Sequence, residues 1–247
     1  MKGIILSGGS ATRLFPLTAT TSKQLLPIYD RQMIFYPLNV LVKAGIKDIL
    51  IIVAPEQSGN FLNLLGSIFD KSDVRLEFKV QKNPRGLADA FIVGENFIGQ
   101  DNVTMILGDN IFLGQDFSQK IKDFKSGGMI FAKKVPDPQR YGVVEFGKNN
   151  KVLSIEEKPV APKSNYAIVG LYTFDKRISK ISRGLQPSAR GELEITDLHK
   201  YYLKKGELKV NIFKGIWEDA GTFESLLRVS NIVAEREKAK GLTVAQK

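Results

Sequence analysis

Short apolar segments alternate with helix-like segments through the first half of this 247-residue chain. Three of the apolar segments have the length of single strands: Lys2–Ser7, Asp48–Ala54 and Val103–Leu107. Continuously apolar strands separated by helices are typical of a parallel sheet that is covered on both faces. We therefore expect an α/β fold, whose ligands would bind beyond the carboxyl ends of the strands.

The remaining segments extend this prediction. In the first half we expect helices at Ile34–Ala44, Gln57–Phe69 and Leu87–Phe97, and an alternating strand at Arg75–Val80. In the second half the strand-like stretches MIFAKKV, YGVVEF, KVLSIEEK and YAIVGLYTF follow one another closely. Such a succession favours an antiparallel or mixed extension of the sheet.

The last part of the chain predicts two helices and one strand. They are expected near Glu192–Lys204, at Leu208–Phe213 and after Thr222, a residue type that caps helix N-termini well. The apolar side of the final helix would consist of Leu226, Val229, Ile232 and Val233. We expect a single domain over residues 1–247, with a nucleotide-binding half at about 1–115 and a second-substrate half at about 116–247.

The composition limits the chemistry that the chain can use. It contains no cysteine and one histidine, His199, which excludes disulfides, thiolate zinc sites and sites of several histidines. A catalytic metal would therefore be a hard cation held by carboxylates. The net charge of +10 is compatible with an anionic partner, but the dispersed lysines indicate a solvated surface. Because no dense basic tract or RNA-binding motif is present, we expect no nucleic-acid partner.

The N-terminal residues do not resemble a secretory signal. Lys2 is followed at once by GIILSGG, which is too short for a hydrophobic signal core and lacks a cleavage site. The longest apolar runs, such as Ile49–Ala54, have the length of a strand and are too short to span a bilayer. We expect a cytoplasmic protein without a membrane partner.

A glycine-rich loop follows the first strand. Gly8 and Gly9 would let backbone N–H groups approach phosphate oxygens, and Arg13 could contact two such oxygens at once. The loop lacks the third glycine of a dinucleotide fingerprint and the Gly-Lys end of a P-loop, so a tight strand-to-helix turn is the alternative. Lys23 could converge on the same phosphates or lie at a solvated edge.

Two aspartates occupy junctions between elements. Asp109 follows the buried strand in MILGDN, and Asp219 lies in GIWEDAGT before the final helix. Two carboxylates from separate connections can bind one Mg²⁺ ion that also touches phosphate oxygens. For Asp219 the alternative is a charge that favours the helix N-terminus near Thr222.

The second half carries polar residues at the end of one strand. In SIEEKP, strand alternation places Glu157 on the opposite face from Glu156 and Lys158, which argues against a carboxylate pair for glycoside cleavage. Glu157 could instead accept sugar hydroxyls, and Lys158 could bind a phosphate. Gly142 offers a close backbone approach and Arg190 a second phosphate contact. Surface ion pairs and a turn glycine are the alternatives for these positions.

Taken together, the motifs resemble the sugar-nucleotidyltransferase family over nearly the whole chain. The matching stretches are GGSATRLFPLT, SKQLLPIYD, GLADAF, LGDNIF, DPQRYGVVEF, EEKP, PKSNYAIVGLY and SARGELEITD, in the family's order and at compatible spacing. The resemblance implies a Rossmann-like three-layer α/β/α sandwich with a mixed, mostly parallel central sheet. It also implies that the second half binds a sugar phosphate and that the chain forms a homo-oligomer.

The resemblance implies a role for individual residues as well. Nucleotide binding would involve Gly8, Gly9, Thr12, Arg13, Lys23 and Gln24, with Gln81 and Gly86 at the pyrimidine base. Sugar-phosphate binding would involve Tyr141, Gly142, Glu157, Lys158, Val169 and Arg190. Asp109 and Asp219 would hold Mg²⁺, and the catalytic set would be Arg13, Lys23, Asp109, Lys158 and Asp219.

The reaction implied is transfer of the thymidylyl group of dTTP to α-D-glucose 1-phosphate, which yields dTDP-glucose and pyrophosphate. The sugar phosphate would attack the α-phosphorus in line, assisted by Mg²⁺. Use of UTP is the nearest alternative, because uracil lacks only the methyl group of thymine. A non-catalytic sensor of sugar nucleotides is a second alternative, which the retained charged set argues against.

The chain departs from the family's pattern at four positions. Ala11 replaces a common glycine, so the loop must avoid a conformation that glycine alone tolerates, and Asp89 replaces the usual glutamine in GLADAF. Glu218 and Ala220 stand where relatives often have leucine and threonine. Glu218 adds a charge directly beside the expected metal ligand Asp219.

Overall fold

A computed structural model describes residues 1–9, 12–69 and 72–239 of the chain. The strands are β1 Lys2–Ser7, β2 Pro27–Ile28, β3 Arg31–Gln32, β4 Asp48–Val53, β5 Arg75–Val80, β6 Val103–Leu107, β7 Asn110–Leu113, β8 Gly128–Lys134, β9 Gly142–Phe146, β10 Val152–Glu157, β11 Tyr166–Phe174, β12 Leu208–Ile212 and β13 Ile216–Asp219. The α-helices are α1 Phe35–Lys43, α2 Ser58–Phe69, α3 Asp89–Val93, α4 Glu95–Ile98, α5 Ser118–Lys122, α6 Ile178–Arg183, α7 Ile195–Lys204 and α8 Phe223–Ala239.

Nine strands form the main sheet in the described part of the chain. β5, β4, β1 and β6 lie side by side in parallel, and β11 pairs antiparallel with β6. β8 and β9 both pair with β11, while β12 lies beside β8 and β10 beside β9. Among these nine strands, β10 and β11 run against the common direction. The sheet is therefore mixed and mostly parallel, as predicted.

Alternate residues of the central strands face opposite layers of helices. On β4, Ile49 and Ile51 pack in one apolar cluster with Phe61 of α2. Leu50 and Ile52, which point the other way, pack in a second cluster with side chains of α3, α6 and α7. All five side chains are at most 1% exposed, and burying each stabilises the fold by about 1.5–3 kcal/mol. A continuously apolar strand is thus explained by helices on both faces, which is the expected three-layer arrangement.

The final helix, α8, packs on a third and smaller cluster. Thr222 caps it as predicted, since the Ser225 N–H donates to Thr222 Oγ1 at 3.3 Å. Val229 and Val233 pack with Ile111 of β7 in this cluster. This packing fixes the connection between β13 and α8, in which Asp219 lies.

The predicted elements are present, and most of their ends agree with the structure within a few residues. The helix expected at Leu87–Phe97 is instead two short helices, α3 and α4, separated at Gly94. A Cβ on Gly94 would lie 3.0 Å from both Ala90 O and Ile4 Cδ1. Glycine is a poor helix former, and the close approach to β1 leaves little room for a larger residue at this break.

The sheet continues from the first half of the chain into the second, because β6 pairs directly with β11. The division of the chain near residue 115 into a nucleotide-binding half and a second-substrate half therefore stays a prediction about which ligand each half binds. Within the described ranges, none of the helices combines the length and apolar character that crossing a bilayer requires.

Candidate active site

Three segments that carry expected site residues leave the parallel part of the sheet at one edge. Gly8 follows β1, Gln81 follows β5 and Asp109 comes shortly after β6. The register places Leu6 beside Leu107, so the glycine loop and the Asp109 segment start at the same level. β11 runs the other way and begins at this edge, which brings the second half of the chain to the same place.

A cavity of about 280 Å³, called the central cavity below, opens between the two halves. It is bordered by four of the five expected catalytic residues, Arg13, Asp109, Lys158 and Asp219. The fifth, Lys23, contacts Asp109. The other charged side chains that line the central cavity are Arg140, Glu157, Arg190, Glu192 and Glu194. The fold thus brings together side chains that lie far apart in the sequence.

Asp109 and Asp219 meet because two short strands pair beside the main sheet. β7 and β13 are antiparallel, with Asp219 opposite Asn110, and the Ala220 N–H donates to the Asp109 carbonyl at 2.9 Å. Asp219 Oδ1 is buried and accepts no hydrogen bond from a described residue. Burial and the charge of Asp109 raise the pKa of Asp219 to about 6. The pair is therefore a site of concentrated negative charge that lacks a full set of partners.

Lys23 and Asn110 orient the Asp109 carboxylate. Lys23 Nζ donates to Asp109 Oδ2, and Asn110 Nδ2 donates to Oδ1 at 3.0 Å. Burial alone would raise the pKa of Asp109, but the charge and hydrogen bond of Lys23 hold it below its ordinary value. Burial likewise opposes the charged form of Lys23, yet Asp109 raises the pKa of Lys23 above its ordinary value. Both groups therefore stay charged at neutral pH.

The aspartate pair fits a hard divalent cation. Carboxylate oxygens are the ligands that Mg²⁺ prefers, and the ion commonly takes its other oxygens from water and phosphates. Within the described ranges no group of three or more His, Cys, Asp or Glu side chains is arranged to hold a metal. The buried, unpartnered Oδ1 of Asp219 is the observation that supports the fit, because a buried acceptor without a partner is costly.

Arg13 lies beside Asp219 at Gly221. A Cβ on Gly221 would be 2.9 Å from both Arg13 Nη2 and Asp219 Oδ1, so the guanidinium and the carboxylate flank one glycine. Arg13 is exposed, and no described residue forms an ion pair with it. Its charge is available to an anion that enters the cavity.

The second half forms the other wall from a network of ions. Arg190 Nη2 lies 2.9 and 2.7 Å from the two carboxylate oxygens of Glu194 and 3.5 Å from Glu157. Burial raises the pKa of Glu157, and the charge of Glu194 adds to this effect. Arg190, expected to bind phosphate, is thus already compensated by carboxylates.

Lys158 differs from Arg190 in this respect. It follows β10 with a φ of 42°, a value that is uncommon outside glycine and that concentrates at functional sites. Its backbone N–H donates to the Tyr141 carbonyl at 3.0 Å, which fixes its position at the cavity. No described residue forms an ion pair with its side chain. Lys158 is therefore the available cation of this wall.

The remaining residues expected to contact the sugar have different surroundings. The Tyr141 ring packs against Trp217 with centroids 5.0 Å apart. A Cβ on Gly142 would lie 2.8 Å from Thr196 Cγ2, so a larger residue would disturb the wall. The Val169 side chain is fully buried in the core, whereas its neighbours along β11 line the cavity. A sugar contact of Val169 therefore depends on its backbone.

The expected base-binding residues lie at the same sheet edge, outside the lining of the central cavity. Gln81 is 4% exposed, and a Cβ on Gly8 would be 3.1 Å from its Oε1. Gly86 has a φ of 105°, and a Cβ there would lie 2.5 Å from the Leu193 carbonyl oxygen. Glycine is thus required at position 86, both for the backbone conformation and for the close approach.

The rest of the nucleotide set surrounds the glycine loop. Gly9 has a φ of 117°, and the exposed Thr12 begins a turn that ends at the buried Leu14. Gln24 is buried, and its Oε1 accepts a hydrogen bond from Ser22 Oγ. Ala11, and with it the expectation about the conformation of the loop, lies outside the described residues.

Sequence reasoning missed several residues of the cavity, of which Asn110 is the most connected. Its Oδ1 accepts from the Gly170 N–H at 2.9 Å and from Trp217 Nε1 at 2.7 Å. These bonds tie β7, β11 and β13 together next to the aspartate pair. A signal was present, because Asn110 is a polar residue directly before the apolar run Ile111–Leu113. Arg140 and Glu194, also missed, gave no comparable signal.

Two departures from the expected pattern have structural explanations. Arg228 of α8 donates from Nε and Nη2 to the Glu218 carboxylate at 3.0 and 2.7 Å. Its charge compensates that of Glu218, which lies next to Asp219 but alternates to the other side of β13. Ala220 is fully buried in the small cluster beneath α8.

Comparison with known proteins gives a consistent result. The nucleotidyl transferase family model matches residues 2–236 of the chain. A glucose-1-phosphate thymidylyltransferase of Neisseria meningitidis is 52% identical over 252 residues, which cover 99% of this chain and 86% of that protein. The protein of the same name from Mycobacterium tuberculosis is 50% identical over 249 residues, again covering 99% of this chain and 86% of the relative.

Solved structures share the fold over both halves. A Bacillus anthracis structure assigned as a glucose-1-phosphate thymidylyltransferase superposes with a TM-score of 0.88 at 42% identity, covering 94% of each chain. A UDP-glucose pyrophosphorylase complexed with UDP-glucose superposes with a TM-score of 0.83 at 25% identity, covering 95% of this chain and 98% of the other. These matches confirm the expected fold class.

Proposed function

The chain belongs to the nucleotidyl transferase family, and on that premise we propose that it transfers the thymidylyl group of dTTP to glucose 1-phosphate. The products are dTDP-glucose and pyrophosphate, so the enzyme makes a sugar nucleotide. Relatives about half identical to this chain carry the name of this activity. The observation that carries the proposal is one cavity at which the aspartate pair meets two available cations, Arg13 and Lys158.

The reaction requires no general base from the protein. The nucleophile is a phosphate oxygen of glucose 1-phosphate, which is already anionic at neutral pH. It forms a new bond to the α-phosphorus of dTTP, and the bond from that phosphorus to the oxygen bridging to the β-phosphate breaks. Pyrophosphate leaves with the electron pair. His199, which borders the cavity, is no candidate base, since burial lowers its pKa to about 3 and Lys200 adds to the effect.

The difficulty of the reaction is the meeting of two polyanions. At about 4 Å and an effective dielectric constant of about 20, one pair of like charges costs about 4 kcal/mol. Arg13 and Lys23 would offset this repulsion on the triphosphate side, and Lys158 on the sugar-phosphate side, with Arg190 beside it. Glu157 would accept hydrogen bonds from sugar hydroxyls. Catalysis would then consist of positioning and electrostatic stabilisation.

Asp109 and Asp219 would hold Mg²⁺ during this reaction. When bound, the ion supplies charge neutralisation at the phosphate oxygens of the nucleotide. The chain itself contributes two fixed carboxylates. Lys23 keeps Asp109 ionised and oriented, and the strand pair β7–β13 holds Asp219 beside it.

UTP is the competing nucleotide, because a methyl group is worth about 1–3 kcal/mol in a fitted pocket. The experiment is to measure pyrophosphate release with glucose 1-phosphate and each of dTTP, UTP, dCTP and dATP at one Mg²⁺ concentration. We expect the highest kcat/KM with dTTP and the next with UTP. A higher value with UTP would make the protein a uridylyltransferase. No release with either nucleotide from folded protein would refute the proposal.

A further inference from the structure

Asp89 is a buried carboxylate that the proposed mechanism does not use. It begins α3 and is 1% exposed. Its Oδ2 accepts a hydrogen bond from Gln81 Nε2 at 2.6 Å, and its Oδ1 accepts from Arg85 Nη2 at 2.6 Å and from Arg85 Nε at 3.2 Å. A buried charge held this closely by an amide and a guanidinium fixes the orientation of both.

The orientation of the Gln81 amide follows from the chemistry of its partner. A carboxylate accepts hydrogen bonds and cannot donate them, so the group that faces Asp89 must be the NH₂ of Gln81. The carbonyl oxygen, Oε1, then points the other way, toward Gly8 in the glycine loop. No described donor reaches this oxygen. Gln81 therefore presents a fixed hydrogen-bond acceptor at the sheet edge.

The position of Gln81 relates this acceptor to the nucleotide. In the order β6-β1-β4-β5, Asp109 comes after β6 at one end, and Gln81 follows β5 at the other. A nucleotide whose phosphates lie at the aspartate pair and whose sugar crosses the glycine loop has its base on the β5 side. The base edge then meets Gln81 Oε1. The Gly86 segment borders this place and is fixed by hydrogen bonds between Leu193 N–H and Arg85 O at 2.6 Å and between Ala88 N–H and Leu193 O at 3.2 Å.

We infer that Asp89 is a positioning residue that sets the base selectivity of the enzyme, an inference that rests on the proposed function. By fixing Gln81 Oε1 as an acceptor, it selects bases with a ring N–H at this edge. Thymine and uracil carry N3–H, whereas N3 of cytosine and N1 of adenine are acceptors. A cytosine would set two acceptors against each other in a site where neither regains its lost hydrogen bond to water.

The test is Asp89→Asn, a change of nearly identical shape. Arg85 continues to donate to one side of the substituted side chain, so the new NH₂ takes the place of Oδ2 and faces Gln81. Gln81 then turns its carbonyl toward this new NH₂ and its own NH₂ toward the base. We expect the ratio of kcat/KM for dTTP to that for dCTP to fall at least about tenfold, the size of one misdirected hydrogen bond. Calorimetric Kd values for the two nucleotides give the same ratio if turnover is too slow to measure.

The matched control is Asp175→Asn, which alters another buried aspartate paired with an arginine, Arg177, away from the cavity. It tests for general loss of stability, and its dTTP-to-dCTP ratio should equal that of the parent enzyme. An unchanged ratio in Asp89→Asn, or an equal fall in both variants, would overturn the inference. If the parent enzyme turns over dTTP and Asp89→Asn keeps the dTTP-to-dCTP ratio of the parent, the inference about Asp89 fails while the proposed function stands. If the parent enzyme releases no pyrophosphate, the proposed function fails as well.

Discussion

The two walls of the central cavity use their charges in different ways. On the wall expected to receive the nucleotide, Arg13 is exposed and has no ion-pair partner among the described residues. On the wall expected to receive the sugar phosphate, Arg190 is paired with Glu194 and lies near Glu157. Under the proposed function, the wall that receives the triphosphate gains from a cation without an ion-pair partner, whereas the wall that binds sugar hydroxyls needs carboxylate acceptors. Those carboxylates require a cation of their own to remain charged when they are largely withdrawn from water.

The largest effect is expected at the place where the walls meet. Asp109→Asn or Asp219→Asn should lower kcat by at least about a thousandfold, or about 4 kcal/mol of barrier, because each removes half of the carboxylate pair that fits Mg²⁺. Turnover is measured as pyrophosphate release over a range of Mg²⁺ concentrations. The control is Asp101→Asn, which alters an exposed aspartate whose carboxylate contacts the N-terminal amine. Undiminished Mg²⁺-dependent turnover in a folded variant would remove that residue from the site.

The nucleotide wall should be the next most sensitive. Arg13→Ala is expected to lower kcat/KM for dTTP about a hundredfold, since an unpaired guanidinium beside the aspartates has no substitute. Lys238→Ala, near the end of α8, removes one positive charge from an exposed surface and should change kcat/KM little. Equal modest losses in both variants would indicate a nonspecific charge effect.

The sugar wall should respond differently to its two cations. Lys158→Ala should raise the KM for glucose 1-phosphate about tenfold, or about 1.4 kcal/mol, and leave the KM for dTTP nearly unchanged. Arg190→Ala should change the KM for glucose 1-phosphate less than Lys158→Ala does. It should lower Tm more than Lys158→Ala does, because it leaves the Glu194 carboxylate without its guanidinium partner. A larger KM effect from Arg190→Ala would mean that Arg190 leaves Glu194 to bind the sugar phosphate.

The smallest effect on activity is expected behind the sugar wall, at His199. Its ring is fully buried between Tyr172 and Phe174, and burial lowers its pKa from 6.5 to about 3. Between these values the unfolded chain binds a proton that the folded chain does not, so stability falls as the pH falls. From about pH 7 to about pH 5 this costs about 2 kcal/mol of unfolding free energy. Urea titrations should show that His199→Leu loses this part of the pH dependence. The same pH dependence of the unfolding free energy in the parent protein and in His199→Leu would contradict this prediction.

Periodicity predicted the individual elements well because each depends mainly on neighbouring residues. The strands Lys2–Ser7 and Arg75–Val80 were predicted with the ends that the structure gives them. The segment at Leu87–Phe97 was predicted as one helix, but the structure interrupts it at Gly94, a residue type that weakens a helix locally. The prediction therefore failed where the apolar pattern was given more weight than a glycine within it.

The candidate site shows a different limit, which is set by contacts between segments that are distant in the sequence. Residue types and spacing singled out Arg13, Asp109 and Asp219 as charged groups at junctions, and the resemblance to a family gave them roles. The pairing state of Arg190 and Lys158 could not be read in this way. It depends on Glu194, whose position relative to both follows from the packing of α7 against β10. Neighbouring charges in space decide which cation remains available for a ligand.

The order of apolar and polar residues along the chain was enough to specify the strands, their burial on two faces and the edge at which ligands are expected. These follow from local periodicity and from the geometry of parallel sheets. Which oxygen of Asp219 lacks a partner, which cation is compensated and which way the Gln81 amide faces were settled by tertiary structure. These properties arise from hydrogen bonds and charges between residues far apart in sequence, such as Asp109 with Asp219, and a linear pattern does not encode their distances.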